Sequence, residues 1–388
     1  MTVEVEGPIF VDDPFGSNWV MLDCAAEGLL AAIDWKALEE YAITVKLKNY
    51  GHHVTCDLSS DISMGGRNVV RRLDFSDGTS WIARIQRQEP TPETLYRLVR
   101  EVSTLHLARE RTSIPVPEVF AFEANGTNPV GVAFTIMDYI PGNSAMHSFG
   151  GWPAHGGRTP QIFKKKFHAQ MAEIQVGMAS IRFQQIGSII KLSDGTYSVG
   201  PIPGIGGPFK TAADFFKAWS TKAQFPVNEE VIREWAPPDM VDNILSSIQA
   251  FPSRLKRFAK SHRCQDGPFP LFHGDLFKSN IIIDSNYNVL SVIDWEDAIV
   301  APWEMIECIK DLCIVPSGMS DTQYCEGETA KQIFADRKRY IRMVRQLEKK
   351  HERDSRLSKT LSNERGQSMA HAMWMFLGGR IGSFTNLL

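Results

Sequence analysis

The sequence lacks paired cysteines, long apolar runs and a large net charge. Its six cysteines, at 24, 56, 264, 308, 313 and 325, form neither a C-x-x-C pair nor zinc-ligand spacing, which indicates reduced thiols rather than a disulfide framework or a structural metal centre. No apolar run approaches the roughly 18 to 20 residues that span a bilayer. A net charge of −3 gives no general attraction to nucleic acid or anionic membranes. These absences favour a small-molecule partner, with no nucleic acid and no membrane.

The composition and the first residues are also unremarkable for a globular enzyme. The first ten residues, MTVEVEGPIF, lack the basic region and apolar stretch of a secretory leader. A hydrophobic fraction of 43% and a charged fraction of 22% are ordinary for a globular chain, and 388 residues leave room for two substantial cores. We expect a cytoplasmic enzyme, whose oligomeric state the sequence does not indicate.

The densest group of chemically useful side chains lies between residues 270 and 297. His273-Gly274-Asp275 is followed five residues later by Asn280, and Asp294 lies nineteen residues after Asp275. Apolar runs on either side of a polar turn at residues 285–288 predict two short strands, so a hairpin would bring Asn280 and Asp294 close together.

This spacing suits phosphoryl transfer. Transfer of a terminal phosphoryl group needs Mg²⁺ to neutralise the phosphates and a carboxylate to orient the acceptor hydroxyl. Mg²⁺ prefers a few hard oxygen ligands and keeps several waters. Asn280 and Asp294 are therefore the predicted metal ligands, and Asp275 is the predicted catalytic carboxylate.

The segment resembles the protein-kinase signatures H-R-D-x-x-x-x-N and D-F-G, which appear here as H-G-D-L-F-K-S-N and I-D-W-E. Glycine after the histidine and Trp-Glu after the aspartate make it more similar to the aminoglycoside phosphotransferase and choline kinase-like superfamily, of fungal type. The resemblance covers roughly residues 60 to 320. It implies an α+β, bilobal protein-kinase-like fold that binds ATP and Mg²⁺. Its expected parts are a helical extension (1–55), a small antiparallel β lobe that binds nucleotide (56–140) and a mostly helical lobe that binds the acceptor (141–388).

The small-lobe residues follow from the same resemblance. Gly65 and Gly66 precede two strand-like runs, and a glycine loop there would let backbone N–H groups approach the phosphates of ATP. The family's phosphate-binding lysine corresponds to Arg84, which can bind phosphate bidentately but does not reproduce an ammonium point charge. Glu101 lies on a helix predicted to start near Thr91 and is the expected partner of Arg84.

The adenine site is expected at the end of a buried strand, before the Pro-Gly breaker at 141–142. Met137, Asp138 and Tyr139 would border the base, although Met137 and Tyr139 suit a protein core equally well. His273 is expected to brace the catalytic loop through the backbone rather than to move protons.

The sequence gives less information about the molecule that accepts the phosphoryl group. Carboxylates and indoles alternate over residues 295–307, which suits an amine-bearing acceptor through cation–π contacts of roughly 0.5 to 2 kcal/mol, but also suits a packed core with Trp295 and Trp303 inside it. The predicted activity is transfer of the γ-phosphate of ATP to a hydroxyl of a small molecule. A catalytically impaired pseudokinase that binds a nucleotide or a partner is the alternative, favoured by Arg84. A protein kinase is disfavoured because no Ala-Pro-Glu segment follows Asp294.

Overall fold

A computed structural model describes residues 24–65, 67–89, 91–155, 158–261, 266–312 and 327–381, with only the backbone described at 24–27, 152 and 327–330. The predicted loop residue Gly66 lies outside these ranges. The chain divides into two compact units: residues up to 110 with 115–160 and 278–296, and residues 111–114 with 161–277 and 297 onward. The hairpin that carries Asn280 and Asp294 thus belongs to the same unit as Arg84 and Glu101.

The strands are β1 (Cys56–Met64), β2 (Asn68–Phe75), β3 (Ser80–Gln86), β4 (Val119–Glu123), β5 (Phe134–Asp138), β6 (Asn143–Ser144), β7 (Arg182–Phe183), β8 (Ser188–Lys191), β9 (Tyr197–Gly200), β10 (Phe269–Phe272), β11 (Ile281–Ile283), β12 (Val289–Val292) and β13 (Ile299–Val300). The helices are α1 (Cys24–Ala32), α2 (Trp35–Tyr50), α3 (Pro92–Arg111), α4 (Gly151–His155), α5 (Lys164–Ser180), α6 (Ala212–Lys222), α7 (Glu229–Trp235), α8 (Val241–Lys260), α9 (Gly327–Lys350), α10 (Arg356–Ser362) and α11 (Glu364–Leu377).

The first unit is built on a five-stranded antiparallel sheet in the order β1-β2-β3-β5-β4. Along β3 the side chains alternate between a buried and a half-buried face, and Trp81, Ala83 and Ile85 form the buried set. These three pack into a core that includes Leu38 and Ala42 of α2. Since successive strand residues point to opposite faces, Arg84 faces away from this core.

The predicted hairpin is present in the same unit. β11 and β12 pair antiparallel, and β6 joins them in a three-stranded sheet. The turn between β11 and β12 is closed by Asp284, whose carboxylate accepts hydrogen bonds from the backbone N–H groups of Asn286 (2.9 Å) and Asn288 (2.8 Å). Aspartate commonly shapes turns in this way.

The second unit is mostly helical. α5 packs against α9, α6 packs against α8, and a small sheet in the order β13-β10-β7 runs through it. Its core is aromatic, with the rings of Phe251 and Phe376 stacked at 3.9 Å. None of the described helices combines the length and the apolarity needed to cross a bilayer. The predicted α+β class is confirmed, with the kinase-like antiparallel sheet in one unit and most of the helices in the other.

Candidate active site

The clearest cluster in the first unit is centred on Arg84. From the half-buried face of β3, its Nη1 donates a hydrogen bond to Oε1 of Glu101 on α3. Its Nη2 donates to Oδ1 of Asp294 at 2.8 Å and lies 3.4 Å from Oε2 of Glu296. Arg84 and Glu101 thus form the predicted pair. The same guanidinium also donates to Asp294, the predicted metal ligand, because its planar group carries several N–H donors.

The buried guanidinium of Arg84 lies among three carboxylates, one of which, Glu296, also pairs with Arg67. Burial alone would lower the pKa of Arg84, but Glu101, Asp294 and Glu296 outweigh it and raise that pKa above its ordinary value. Glu101 is 5% exposed. Its pKa rises from 4.5 to about 7 because burial, Glu296 and Asp294 together exceed the opposing effect of Arg84.

The structure pairs the backbone of Asn280 with that of Ile293, the residue immediately before Asp294. Asn280 ends a short 3₁₀ turn (Lys278–Asn280) and its backbone carbonyl accepts a hydrogen bond from the N–H of Ile293 at 2.9 Å. Asp294 follows with φ +64°, a left-handed conformation that Asp tolerates better than most residues. Trp295 anchors the loop, because its buried indole donates to the carbonyl of Val292 at 2.9 Å.

These residues fit a Mg²⁺ site by donor chemistry, since an amide oxygen and a carboxylate are hard ligands. The side chain of Asp294 is 35% exposed, so its carboxylate can be reached from solvent. Among the described residues there is no group of three or more His, Cys, Asp or Glu arranged around one metal position. Asn280 and Asp294 would be the protein ligands of the ion, and Mg²⁺ commonly keeps several waters beside one or two protein ligands.

Gly65, the described residue of the predicted glycine loop, follows the end of β1. The N–H of Gly65 donates to the carbonyl of Asn68 at 2.8 Å, and the carbonyl of Gly65 accepts from Nη1 of Arg87 at 3.0 Å. Arg67, just after the loop, donates from Nη1 to Oε1 of Glu296 at 2.5 Å. Arg67 and Glu296 belong to the Arg84 cluster and were not predicted from the sequence.

The three residues predicted to border adenine differ in accessibility. Met137 is 5% exposed and packs within the sheet, where it lies opposite Ile82 of β3. Asp138 and Tyr139 are half-buried. The carboxylate of Asp138 accepts a hydrogen bond from the N–H of Glu118 at 2.9 Å. Their contact with adenine stays a prediction.

In the second unit, β10 leads directly into His273-Gly274-Asp275. His273 is fully buried, and its Nδ1 accepts a hydrogen bond from the N–H of Asp275 at 3.3 Å, which confirms that this imidazole braces the loop through the backbone. Gly274 has φ +87°, and a Cβ there would lie 2.7 Å from the carbonyl oxygen of Asp297. Only glycine fits this position without strain, so the arginine of the protein-kinase signature would not be accommodated here.

Asp275 projects a 39% exposed side chain, and its Oδ1 lies 3.6 Å from Nη2 of Arg380. The guanidinium of Arg380 lies over the ring of Trp374 at 4.0 Å and near that of Phe277 at 5.4 Å. Arg380 is a further residue that the sequence reasoning missed. No sequence signal marks it, because the contact joins positions more than a hundred residues apart.

The indoles proposed for an amine-bearing acceptor are structural. Trp295 is 1% exposed and Trp303 is 0% exposed. The Nε1 of Trp303 donates to the carbonyl of Pro268 at 3.0 Å. The nearby carboxylate of Glu307 is buried and pairs with Lys310 and His371. An amine-bearing acceptor therefore stays a prediction that these residues do not support.

Comparison with known proteins adds to this geometry. A model of the phosphotransferase enzyme family matches residues 60–305, more than half of the chain. A subtelomeric hrmA-associated cluster protein of Aspergillus fumigatus is 31% identical over 142 residues, 36% of this chain and 26% of that protein. The altered inheritance of mitochondria protein 9 of Eremothecium gossypii is 28% identical over 134 residues, 34% of this chain and 22% of that protein. The chain thus matches about a quarter of the length of these curated relatives.

Solved structures show a looser likeness. A Ralstonia eutropha protein with a provisional aminoglycoside phosphotransferase assignment has a TM-score of 0.48 and 16% identity, covering 89% of this chain and 91% of that one. The assignment to a family rests on the family model, which spans the glycine loop, Arg84, Glu101, Asp275 and the hairpin with Asn280 and Asp294. The chain belongs to the phosphotransferase enzyme family.

Proposed function

We propose that the protein transfers the γ-phosphate of ATP to a hydroxyl group of a small molecule, with Mg²⁺ as cofactor. The observation that carries this proposal is the joining of Arg84, Glu101 and Asp294 in one hydrogen-bonded cluster. A cation on the third strand, a glutamate on the following helix and a metal-binding aspartate are the parts that kinases use to hold a nucleotide. Membership of a phosphotransferase family supports the same conclusion.

Each residue has a role that its surroundings support. Arg84 would bind the α- and β-phosphates while Glu101 holds its guanidinium in place. Asn280 and Asp294 would hold Mg²⁺, which neutralises phosphate charge when bound. Asp275 would orient the acceptor hydroxyl and accept its proton, because its half-buried side chain retains 39% exposure on a loop braced by His273.

The pseudokinase alternative rests on one specific observation. Arg84 is bonded to the proposed metal ligand itself, so a metal ion at Asp294 must share the carboxylate with a guanidinium. If this pairing persists when nucleotide is present, the protein would bind nucleotide without an effective metal site and would act as a binding module. The two proposals differ in whether nucleotide binding depends on Mg²⁺.

A thermal-shift titration with ATP, with and without Mg²⁺, tests the function, because a ligand that binds only the native state raises the melting temperature. The informative variant is Asp294→Asn, since asparagine tolerates the left-handed backbone and removes only the charge. Asp74→Asn is the matched control, because Asp74 is similarly exposed (38%) and pairs with Arg72 at 3.0 Å on β2.

A phosphotransferase should show Mg²⁺-dependent stabilisation by ATP in the wild type and in Asp74→Asn, and lose it in Asp294→Asn. Stabilisation by ATP that is indifferent to Mg²⁺ in all three proteins would favour the binding module. If no nucleotide shifts the wild-type melting temperature, the nucleotide-binding proposal is wrong. A wild type that binds Mg²⁺ and ATP can then be tested for acceptors, with Asp275→Asn expected to keep nucleotide binding and lose about 100-fold or more in kcat.

A further inference from the structure

The carboxylate of Glu296 is held by two guanidiniums, one from the residue before β2 and one from β3. Its Oε1 accepts a hydrogen bond from Nη1 of Arg67 at 2.5 Å, and its Oε2 lies 3.4 Å from Nη2 of Arg84. Arg67 lies immediately before β2, and Arg84 lies on β3. Glu296 itself lies two residues after Asp294 and its side chain is 11% exposed. One acidic group thus bridges the glycine loop and the phosphate-binding strand.

Two arginines that converge on one small oxyanion form a site that suits a phosphate group. Guanidiniums bind carboxylates and phosphates with the same planar, bidentate geometry. The triphosphate of ATP carries several negative charges and many acceptor oxygens, whereas Glu296 carries one charge, so the triphosphate would compete well for the same two donors. The side chain of Arg67 is 42% exposed, so it can exchange one partner for another without leaving a buried charge unpaired.

We propose that Arg67 and Arg84 form a two-arginine clamp for a phosphate group of the nucleotide, and that Glu296 occupies this clamp when nucleotide is absent. This inference rests on the proposed nucleotide-binding function and adds to it a phosphate ligand, Arg67, and an internal competitor, Glu296. The competitor also holds the glycine loop against the loop that carries Asp294, so phosphate binding would release one contact as it forms another.

Arg67→Ala and Glu296→Gln change the two ends of one ion pair, and they should have opposite effects on ATP affinity. Removing Arg67 removes a phosphate ligand, so Arg67→Ala should weaken ATP binding about tenfold. Removing the charge of Glu296 removes the competitor, so Glu296→Gln should strengthen ATP binding about threefold to tenfold. A merely structural ion pair would behave differently, because breaking it from either side would disturb the same loop in the same direction.

The experiment is calorimetric titration of ATP and of adenosine into wild type, Arg67→Ala, Arg67→Lys, Glu296→Gln and a control. Arg109→Ala is the matched control, because Arg109 forms an Arg–Glu pair of the same 2.5 Å length with Glu118 and is 48% exposed. Arg67→Lys covers the case in which the alanine variant fails to fold, and should bind ATP with intermediate affinity since a lysine keeps the charge but not the fork. Adenosine, which has no phosphate, should bind wild type and the Arg67 variants equally.

The outcomes separate this inference from the proposed function. ATP binding by wild type together with an unchanged affinity in the Arg67 variants, as in Arg109→Ala, would overturn the clamp and leave the phosphotransferase proposal standing. Weaker ATP binding by Glu296→Gln would overturn the competitor role. A wild type that binds neither ATP nor adenosine overturns both proposals.

Discussion

Gly274→Ala tests whether the backbone of the His-Gly-Asp loop is what places Asp275. At Gly274 φ is +87°, and an added Cβ would lie 2.7 Å from the carbonyl oxygen and 3.2 Å from the carbonyl carbon of Asp297. A left-handed conformation costs an alanine about 1 to 2 kcal/mol. The contact with backbone, which cannot rotate away, adds about 1 to 3 kcal/mol of overpacking. The expected loss of unfolding free energy is therefore about 2 to 5 kcal/mol.

The chain supplies a control that isolates the contact from the backbone strain. Gly195 has a similar φ of +81°, but nothing lies within 4 Å of an added Cβ. Gly195→Ala should cost only the left-handed strain, about 1 to 2 kcal/mol. Urea unfolding of both variants gives the comparison, since the midpoint and slope report the unfolding free energy.

The functional consequence is confined to one of the two variants. Relief of the contact at Gly274 must move the loop, and a displacement of about 1 Å in a catalytic group can cost about 100-fold in rate. We expect Gly274→Ala to lower kcat strongly and Gly195→Ala to leave it near the wild-type value. If the two variants lose equal stability and equal activity, the close approach of Gly274 to Asp297 does not position Asp275.

Three further outcomes follow from the charged clusters. Because burial and the neighbouring carboxylates raise the pKa of Glu101 from 4.5 to about 7, the native state holds a proton that the unfolded state releases. The unfolding free energy of the wild type should therefore fall by about 3 kcal/mol as pH rises from 4.5 through 7. Measured by urea unfolding, Glu101→Gln should show a flatter dependence of unfolding free energy on pH. Parallel pH profiles for the two proteins would contradict this. Arg84→Lys should keep ATP affinity within about threefold but lose about 1 to 3 kcal/mol of unfolding free energy, because an ammonium cannot donate to Glu101 and Asp294 with the planar geometry of a guanidinium. An unchanged melting temperature would show that this geometry does not stabilise the fold. Although burial opposes it, Lys310 lowers the pKa of Glu307 to about 2, so this carboxylate stabilises the fold above pH 4.5 and the contribution disappears as pH falls towards 2. Glu307→Gln should cost about 3 to 5 kcal/mol at pH 7, because it leaves Lys310 buried without its charged partner, and a loss below about 1 kcal/mol would refute this.

Much of the local structure could be predicted because its causes are local. Alternation of apolar residues and a polar turn were enough to predict β2 and β3, and the start signals at Thr91 were enough to predict α3, which begins at Pro92. The hairpin of β11 and β12 was predicted from two apolar runs around a polar turn at residues 285–288, and the structure places the two strands on either side of that turn. Strand and helix periodicities depend on near neighbours in the chain, so a single sequence carries them.

Whether residues 295–307 line a ligand site or a core could not be predicted from the sequence. A mixture of indoles and carboxylates is compatible with a ligand-binding surface and with a core, and the sequence alone does not distinguish them. The structure assigns Trp295 and Trp303 to the interior. Burial depends on what other segments cover a residue, and those segments are distant in sequence.

The sequence by itself determined the family, the α+β class and the identity of Asp275, Asn280, Asp294, Arg84 and Glu101 as candidates, because residue type and spacing along one chain suffice for a motif. Only the tertiary structure decided how the charges are paired. Glu296 meets Arg67 across 229 positions and Arg84 across 212. Contacts of that separation are set by how strands and loops pack, and no local pattern in the sequence encodes them.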